Sequence, residues 1–192
     1  MNISATSQAG IRPDNAKNPR SNDTSRLLAK APGNRFHNLI ATNTVLAIGS
    51  RLGGHKAEIY ANGMRVQLKN GVVCYPDVVI VSGPQFTDNN DDVLKNPTAV
   101  LEIFSNATDP TDKMQKVESY LALPSVKECL LVKADEMRVE HYARQNQKQW
   151  LYRIYDERDD VISLESVQCK LSLSEIYAQI DVKHELSSKA LH

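Results

Sequence analysis

Residues 98–124 read TAVLEIFSNATDPTDKMQKVESYLALP, and this stretch decides the fold. Its first part, 98–104, is a β-branched and aliphatic run, the composition of a strand buried on both faces. Thr108 or Asp109 then supplies an N-cap and Pro110 stands at the first helical position; the helix reaches to about Leu123, before Pro124. A buried strand feeding a capped helix is a unit of α/β architecture. One residue breaks the pattern. Glu102 lies inside the strand, on the same face as Val100 and Phe104. An unpaired carboxylate there costs on the order of several kcal/mol, so it requires a cation, a hydrogen-bond network or a proton.

Working outward, residues 77–81 form a second buried run, entered through Pro76-Asp77 and joined to the first by the polar loop 85–96. Upstream of it, 56–61 and 64–68 read as strands linked by Asn62-Gly63, a hairpin signal, with a second turn at Lys69-Asn70-Gly71. Phe36, Leu39, Ile40, Val45, Leu46, Ile48 and Leu52 recur at helical spacing, which predicts a helix over 36–52 ended by Gly53-Gly54. Downstream, 128–133, 137–144 and 149–155 read as a strand meander, and a short helix near 174–180 closes the domain. The order predicts an α/β domain whose mixed β-sheet is flanked by helices.

Residues 1–34 contain five large apolar residues, too few to offset their ordering entropy, and carry +3 against −3 for the remainder. The expected organisation is a flexible basic extension over 1–34, one α/β domain over 35–182 and a polar tail over 183–192. Across all 192 residues, 23 basic and 23 acidic side chains cancel, which argues against gripping nucleic acid through bulk positive charge. No stretch approaches the roughly 20 apolar residues that span a bilayer, and no secretory signal opens the chain. A soluble cytoplasmic protein without a membrane partner is expected. Cys74, Cys129 and Cys169 lack paired spacing and read as buried free thiols.

Asp77 and Glu102, on two neighbouring buried strands, could share a hard divalent cation; Mg²⁺ favours one or two carboxylates plus water and substrate phosphate. On the helix, Asp112, Lys116 and Tyr120 share a face, so the Lys116 ammonium could reach a scissile phosphate or its attacking water. Lys113 reads as a solvated helix lysine.

Tyr75-Pro76-Asp77, Glu102-Ile103-Phe104-Ser105, Thr108, Asp112, Lys116, Tyr120 and Pro124-Ser125 together resemble the Uma-type restriction endonucleases of the PD-(D/E)XK nuclease superfamily. The similarity covers about residues 36–182. It implies a restriction-endonuclease-like core, hydrolysis of DNA phosphodiesters with Mg²⁺ (or Mn²⁺), and a homodimer. By position, Asp77 and Glu102 would be the metal ligands and, with Lys116, the catalytic set; Ser105, Asp112 and His37 would support them. The superfamily's usual lysine, two residues after the acid, is replaced here by Phe104, and Lys116 on the helix stands in for it. Relatives also begin with a segment resembling Tyr-Glu-Leu-Ile-Asp-Gly, whereas residues 1–35 contain no glutamate. That difference leaves an alternative: an eroded nuclease-fold dimer that binds DNA or protein without cutting. Hydrolysis of another phosphodiester on the same core is a third reading.

Overall fold

The computed structural model describes residues 33–52, 57–87 and 92–181. The expectations for 1–32, for Gly53-Gly54 and for the tail 183–192 lie outside the described residues. In chain order the elements are α1 (Arg35–Gly49), β1 (Ala57–Ala61), β2 (Arg65–Gln67), β3 (Val73–Cys74), β4 (Val78–Ser82), β5 (Val93–Leu94) and β6 (Ala99–Phe104). There follow α2 (Pro110–Leu121), β7 (Glu128–Lys133), β8 (Val139–Arg144), β9 (Trp150–Tyr155), β10 (Val161–Leu164), a 3₁₀ turn (Glu165–Val167), β11 (Cys169–Ser172) and α3 (Leu173–Ile176).

The main sheet has the order β1-β4-β6-β7-β8-β9. Only β6 and β7 run parallel, because α2 lies between them and returns the chain to the same end of the sheet; every other neighbouring pair is antiparallel. The sheet is therefore mixed, as its sequence order predicts. Alternation along β6 sends Leu101 and Ile103 to one face and Val100 and Glu102 to the other. Leu101 and Ile103 pack with Ile40 and Ile48 of α1, with Ile162 and Leu171 of the β10–β11 hairpin, and with Ile176. The opposite face packs Val79, Val100, Cys129 and Leu131 against Val117 and Tyr120 of α2. Burying both faces explains why β4, β6 and β7 read as unbroken apolar runs.

Tyr177, fully buried just after α3, ties its layer to the sheet. Its hydroxyl lies 2.8 Å from Lys133 O and 3.0 Å from Arg138 O, and accepts from Arg138 N at 3.1 Å. Tyr177→Phe removes this partner from Lys133 O and Arg138 N, while Arg138 O keeps its bond from Lys133 N, and is expected to cost about 1–3 kcal/mol in a urea titration. An unchanged midpoint would show that the hydroxyl contributes nothing.

Asn62-Gly63 is not a hairpin. A two-residue hairpin turn of the Asn-Gly kind needs positive φ at both central residues, and here Asn62 alone adopts it, at +55°. Its N–H donates to Asp77 O, and β1 pairs with β4 while β2 leaves for a separate sheet of order β3-β2-β5. The Lys69-Asn70-Gly71 turn does join β2 to β3, with Gly71 at φ +81°. Helix α1 stops at Gly49, short of Leu52, and α2 stops at Leu121. The closing helix is a single turn begun by a Ser172–Glu175 capping box. The β10–β11 hairpin and β5 were not foreseen, being short and only partly apolar. All three cysteines are buried and free.

Candidate active site

Continued by one step, the β4–β6 register of Val78 with Leu101 sets Asp77 opposite Glu102. The Asp77 carboxylate accepts from Ile103 N at 2.7 Å, which locks the residue to the neighbouring strand just where β4 begins. Both acids are buried, Asp77 at 1% and Glu102 at 6% exposure.

Helix α2 supplies the groups that meet Glu102. Its Asp109 cap accepts from Thr111 N at 2.7 Å with Pro110 next in line. Its far end is held by Arg144, which donates to the carbonyls of Leu121, Leu123 and Val126 and stacks on Trp150. Between these anchors, Lys116 and Tyr120 stand one turn apart on the sheet-facing side. Tyr120 Oη donates to Glu102 Oε1 at 2.5 Å and Lys116 Nζ lies 3.2 Å from Oε2.

Burial pushes the Glu102 carboxyl above the usual carboxylate range. Lys116 pulls it back, Asp77 pushes it up by like charge, and the Tyr120 hydroxyl favours the ionised form. Burial also raises Tyr120 well above its ordinary value, so it remains a hydrogen-bond donor to the carboxylate. The buried thiol of Cys74 is pushed up to about 11, which leaves it neutral beside the site.

The third wall comes from α1. Asn34 caps the helix by accepting from His37 N at 3.0 Å, and His37 Nε2 reaches to 3.0 Å from Asp77 Oδ1. Gly33 makes room for this ring, since a Cβ there would lie 2.4 Å from His37 Nδ1. Together these residues line a cleft of about 300 Å³ that also includes Ser105, Thr108, Asp112, Lys113 and Phe104.

The structure thus brings Asp77, Glu102, Lys116 and His37 together. Ser105 and Asp112 line the same cleft: the Ser105 hydroxyl accepts from Ala107 N, and Asp112 is exposed in the first turn of α2. Lys113 is not a solvated helix lysine. Its ammonium sits 4.0 Å from the Phe104 ring centroid and 2.9 Å from Glu140 Oε1. Glu140, almost fully buried, escaped sequence reasoning. Unlike Glu102, it stands in a mixed strand, Val-Glu-His-Tyr-Ala-Arg, preceded by Arg138, a pattern with no reason to bury it.

Among the described residues no group of three or more His, Cys, Asp and Glu side chains has metal-holding geometry. Two buried carboxylates on one cleft wall suit a hard cation that keeps most of its water, as Mg²⁺ does. The like charge and desolvation that raise Glu102 are the strain such a cation would relieve.

The mixed sheet with its flanking helices is an α/β architecture of nuclease-like fold. Residues 24–175 match the model of the Uma2 family, described as "Putative restriction endonuclease", and the chain belongs to that family. Two proteins of Synechocystis sp. (strain ATCC 27184 / PCC 6803 / Kazusa) are similar to it. The uncharacterized protein sll1609 is 32% identical over 60% of this chain and 66% of its own, just under two thirds of that relative's length. The uncharacterized protein slr1290 is 23% identical over 79% of this chain and 80% of its own. The fold is similar to the crystal structure of a "putative nuclease belonging to DUF820" from Anabaena variabilis ATCC 29413, with a TM-score of 0.65 and 19% identity over 78% of this chain and 84% of that one. No described helix is long and apolar enough to cross a membrane.

Proposed function

We propose that this chain is a metal-dependent endonuclease that hydrolyses DNA phosphodiester bonds, with Asp77 and Glu102 as ligands of Mg²⁺ or Mn²⁺ and Lys116 as the catalytic cation. The observation that carries the reading is the meeting of two buried carboxylates and one ammonium in a single cleft. When bound, the cation supplies Lewis-acid polarisation of phosphate and a more acidic attacking water. Asp77 is held rigid by Ile103 N, and Glu102 by Tyr120, so both acids are oriented before substrate arrives. Lys116, 37% exposed at its side chain, can turn from Glu102 toward a phosphate entering the cleft, where its charge offsets the negative charge developing in the transition state. His37 positions Asp77 from the α1 side; Ser105 and Asp112 shape the rim.

The full chain is expected to nick supercoiled plasmid DNA in the presence of Mg²⁺ or Mn²⁺ and to stop when the cation is chelated. Plasmid left intact with both cations would contradict the reading. A second reading, a non-cutting DNA- or protein-binding module, is favoured by one feature: α1 carries no acid, and the group on it that meets Asp77 is His37. Intact plasmid together with retarded DNA in a gel-shift assay would support that reading instead.

A further inference from the structure

Helix α2 packs on β6 and β7 through Val117 and Tyr120. Beyond it, register along β8 and β9 puts Glu140, Tyr142 and Arg144 on the same side of the sheet, opposite Ile154, Tyr152 and Trp150 respectively. The Tyr142 and Tyr152 ring centroids stand 4.9 Å apart, and the Arg144 guanidinium lies 4.1 Å over the Trp150 ring. Tyr142 and Trp150 are half-buried against the α2 layer, whereas Tyr152 and Ile154 are 45% and 42% exposed. An aromatic face is thus open to solvent beside the helix that carries Lys116. Glu140 joins this face to the cleft. Lys113 of the cleft wall lies 2.9 Å from Glu140 Oε1, and Arg138 Nε lies 3.9 Å from the same oxygen. Two cations sharing one carboxylate leave net positive charge where the face meets the cleft.

We propose that this face, with Tyr152 as its stacking residue, binds unpaired bases of a DNA strand that runs into the cleft, so that the substrate contains a single-stranded segment. The proposal rests on the nuclease reading for its choice of DNA. Its physical argument is one of forces. The 23 basic and 23 acidic side chains of the chain cancel, which limits the affinity that phosphate contacts alone can supply. Stacking of bases on aromatic rings supplies affinity that does not depend on net charge, and only bases outside a duplex offer their faces to a side chain. Lys113 and Arg138, at the border between face and cleft, are placed for the phosphates of the same strand. Continuity with the cleft selects a nucleic-acid strand over a protein partner, because a strand bound in the cleft has its neighbouring bases beside these rings. Supercoiled plasmid meets the requirement, since negative supercoiling favours local opening of the duplex.

Trp150 is the only tryptophan of the chain, so its fluorescence reports on this face. The full chain is titrated with oligo-dT and with a duplex of the same length, in EDTA so that nothing is cut. Oligo-dT is expected to change the Trp150 emission and to bind about tenfold more tightly than the duplex. Tyr152→Ala is expected to weaken oligo-dT binding about tenfold, while Tyr152→Phe, which keeps the ring, stays within about twofold of wild type. Leu151→Ala, on the opposite side of the sheet, is expected to bind as wild type does. Tyr152 and Leu151 are exposed enough for these variants to fold, and circular dichroism checks that they do. Failure to bind oligo-dT, a duplex bound as tightly as the single strand, or a Tyr152→Ala protein that binds as wild type would each overturn the proposal, whether or not plasmid is nicked. Oligo-dT binding that depends on Tyr152, in a protein that leaves plasmid intact with both cations, would uphold the binding face and overturn the nuclease reading alone.

Discussion

Glu102→Gln is expected to lower DNA cleavage by about a thousandfold or more while leaving the fold at least as stable as the wild type. The two halves of this expectation come from the same residue. Its carboxylate is buried between Leu131 of β7 and the end of β4, and burial is the largest influence raising its pKa. An acid whose pKa is raised on folding favours the folded state when protonated. That stability is complete below the ordinary glutamate range and is lost as pH rises through the higher folded value. Glutamine stays neutral at every pH and still offers an oxygen to Tyr120. In metal-free buffer, the stability gained by Glu102→Gln should therefore be greatest above the pH where Glu102 ionises and should vanish in acid. Chemical denaturation across a pH series reads this directly. A variant that cuts as well as wild type removes Glu102 from the site. One that unfolds readily at neutral pH shows instead that the charge is needed for folding.

Lys116→Met is expected to reduce cleavage by about a hundredfold, mainly in kcat, with Lys116→Arg recovering part of the loss. Methionine keeps the apolar stem against the helix and removes only the ammonium that lies 3.2 Å from Glu102. If Lys116 acts on the transition state, kcat falls while KM for DNA changes little. If it merely attracts the backbone, KM rises and the loss disappears at saturating DNA. The Lys113–Glu140 pair one turn away provides a contrast, because its ammonium is committed to Glu140 and the Phe104 ring. An unchanged kcat in Lys116→Met would take Lys116 out of the catalytic set.

Much of the architecture was legible because it follows from local rules. Residues 99–104 and 78–82 are apolar on both faces, and Asp109-Pro110 announces the start of α2, so a buried mixed sheet with a crossing helix could be read directly. Glu102 stood out because a carboxylate in such a strand is costly, and Lys116 and Tyr120 followed from helical spacing. Where tertiary pairing overrides local preference, the reading failed. Asn62-Gly63 is a fair hairpin signal, yet pairing β1 with the longer apolar strand β4 wins, and only Asn62 turns through positive φ. The contact between His37 and Asp77 depends on how α1 docks across the sheet, which no spacing within α1 encodes. Lys113 and Glu140 lie 27 residues apart and meet only because β8 follows β7 across the sheet beneath α2. The neutral overall charge carries no information on the cleft, where Asp77 and Glu102 of the sheet lie across from Lys113 and Lys116 of α2.

The central claim is that Asp77 and Glu102 hold a divalent cation together, and Mn²⁺ titration of the full chain by calorimetry tests it most directly. The account predicts one site per chain in the wild type and none in Glu102→Gln at the same concentrations. A wild type that takes up no Mn²⁺, or a Glu102→Gln protein that binds it as tightly as wild type, would contradict it.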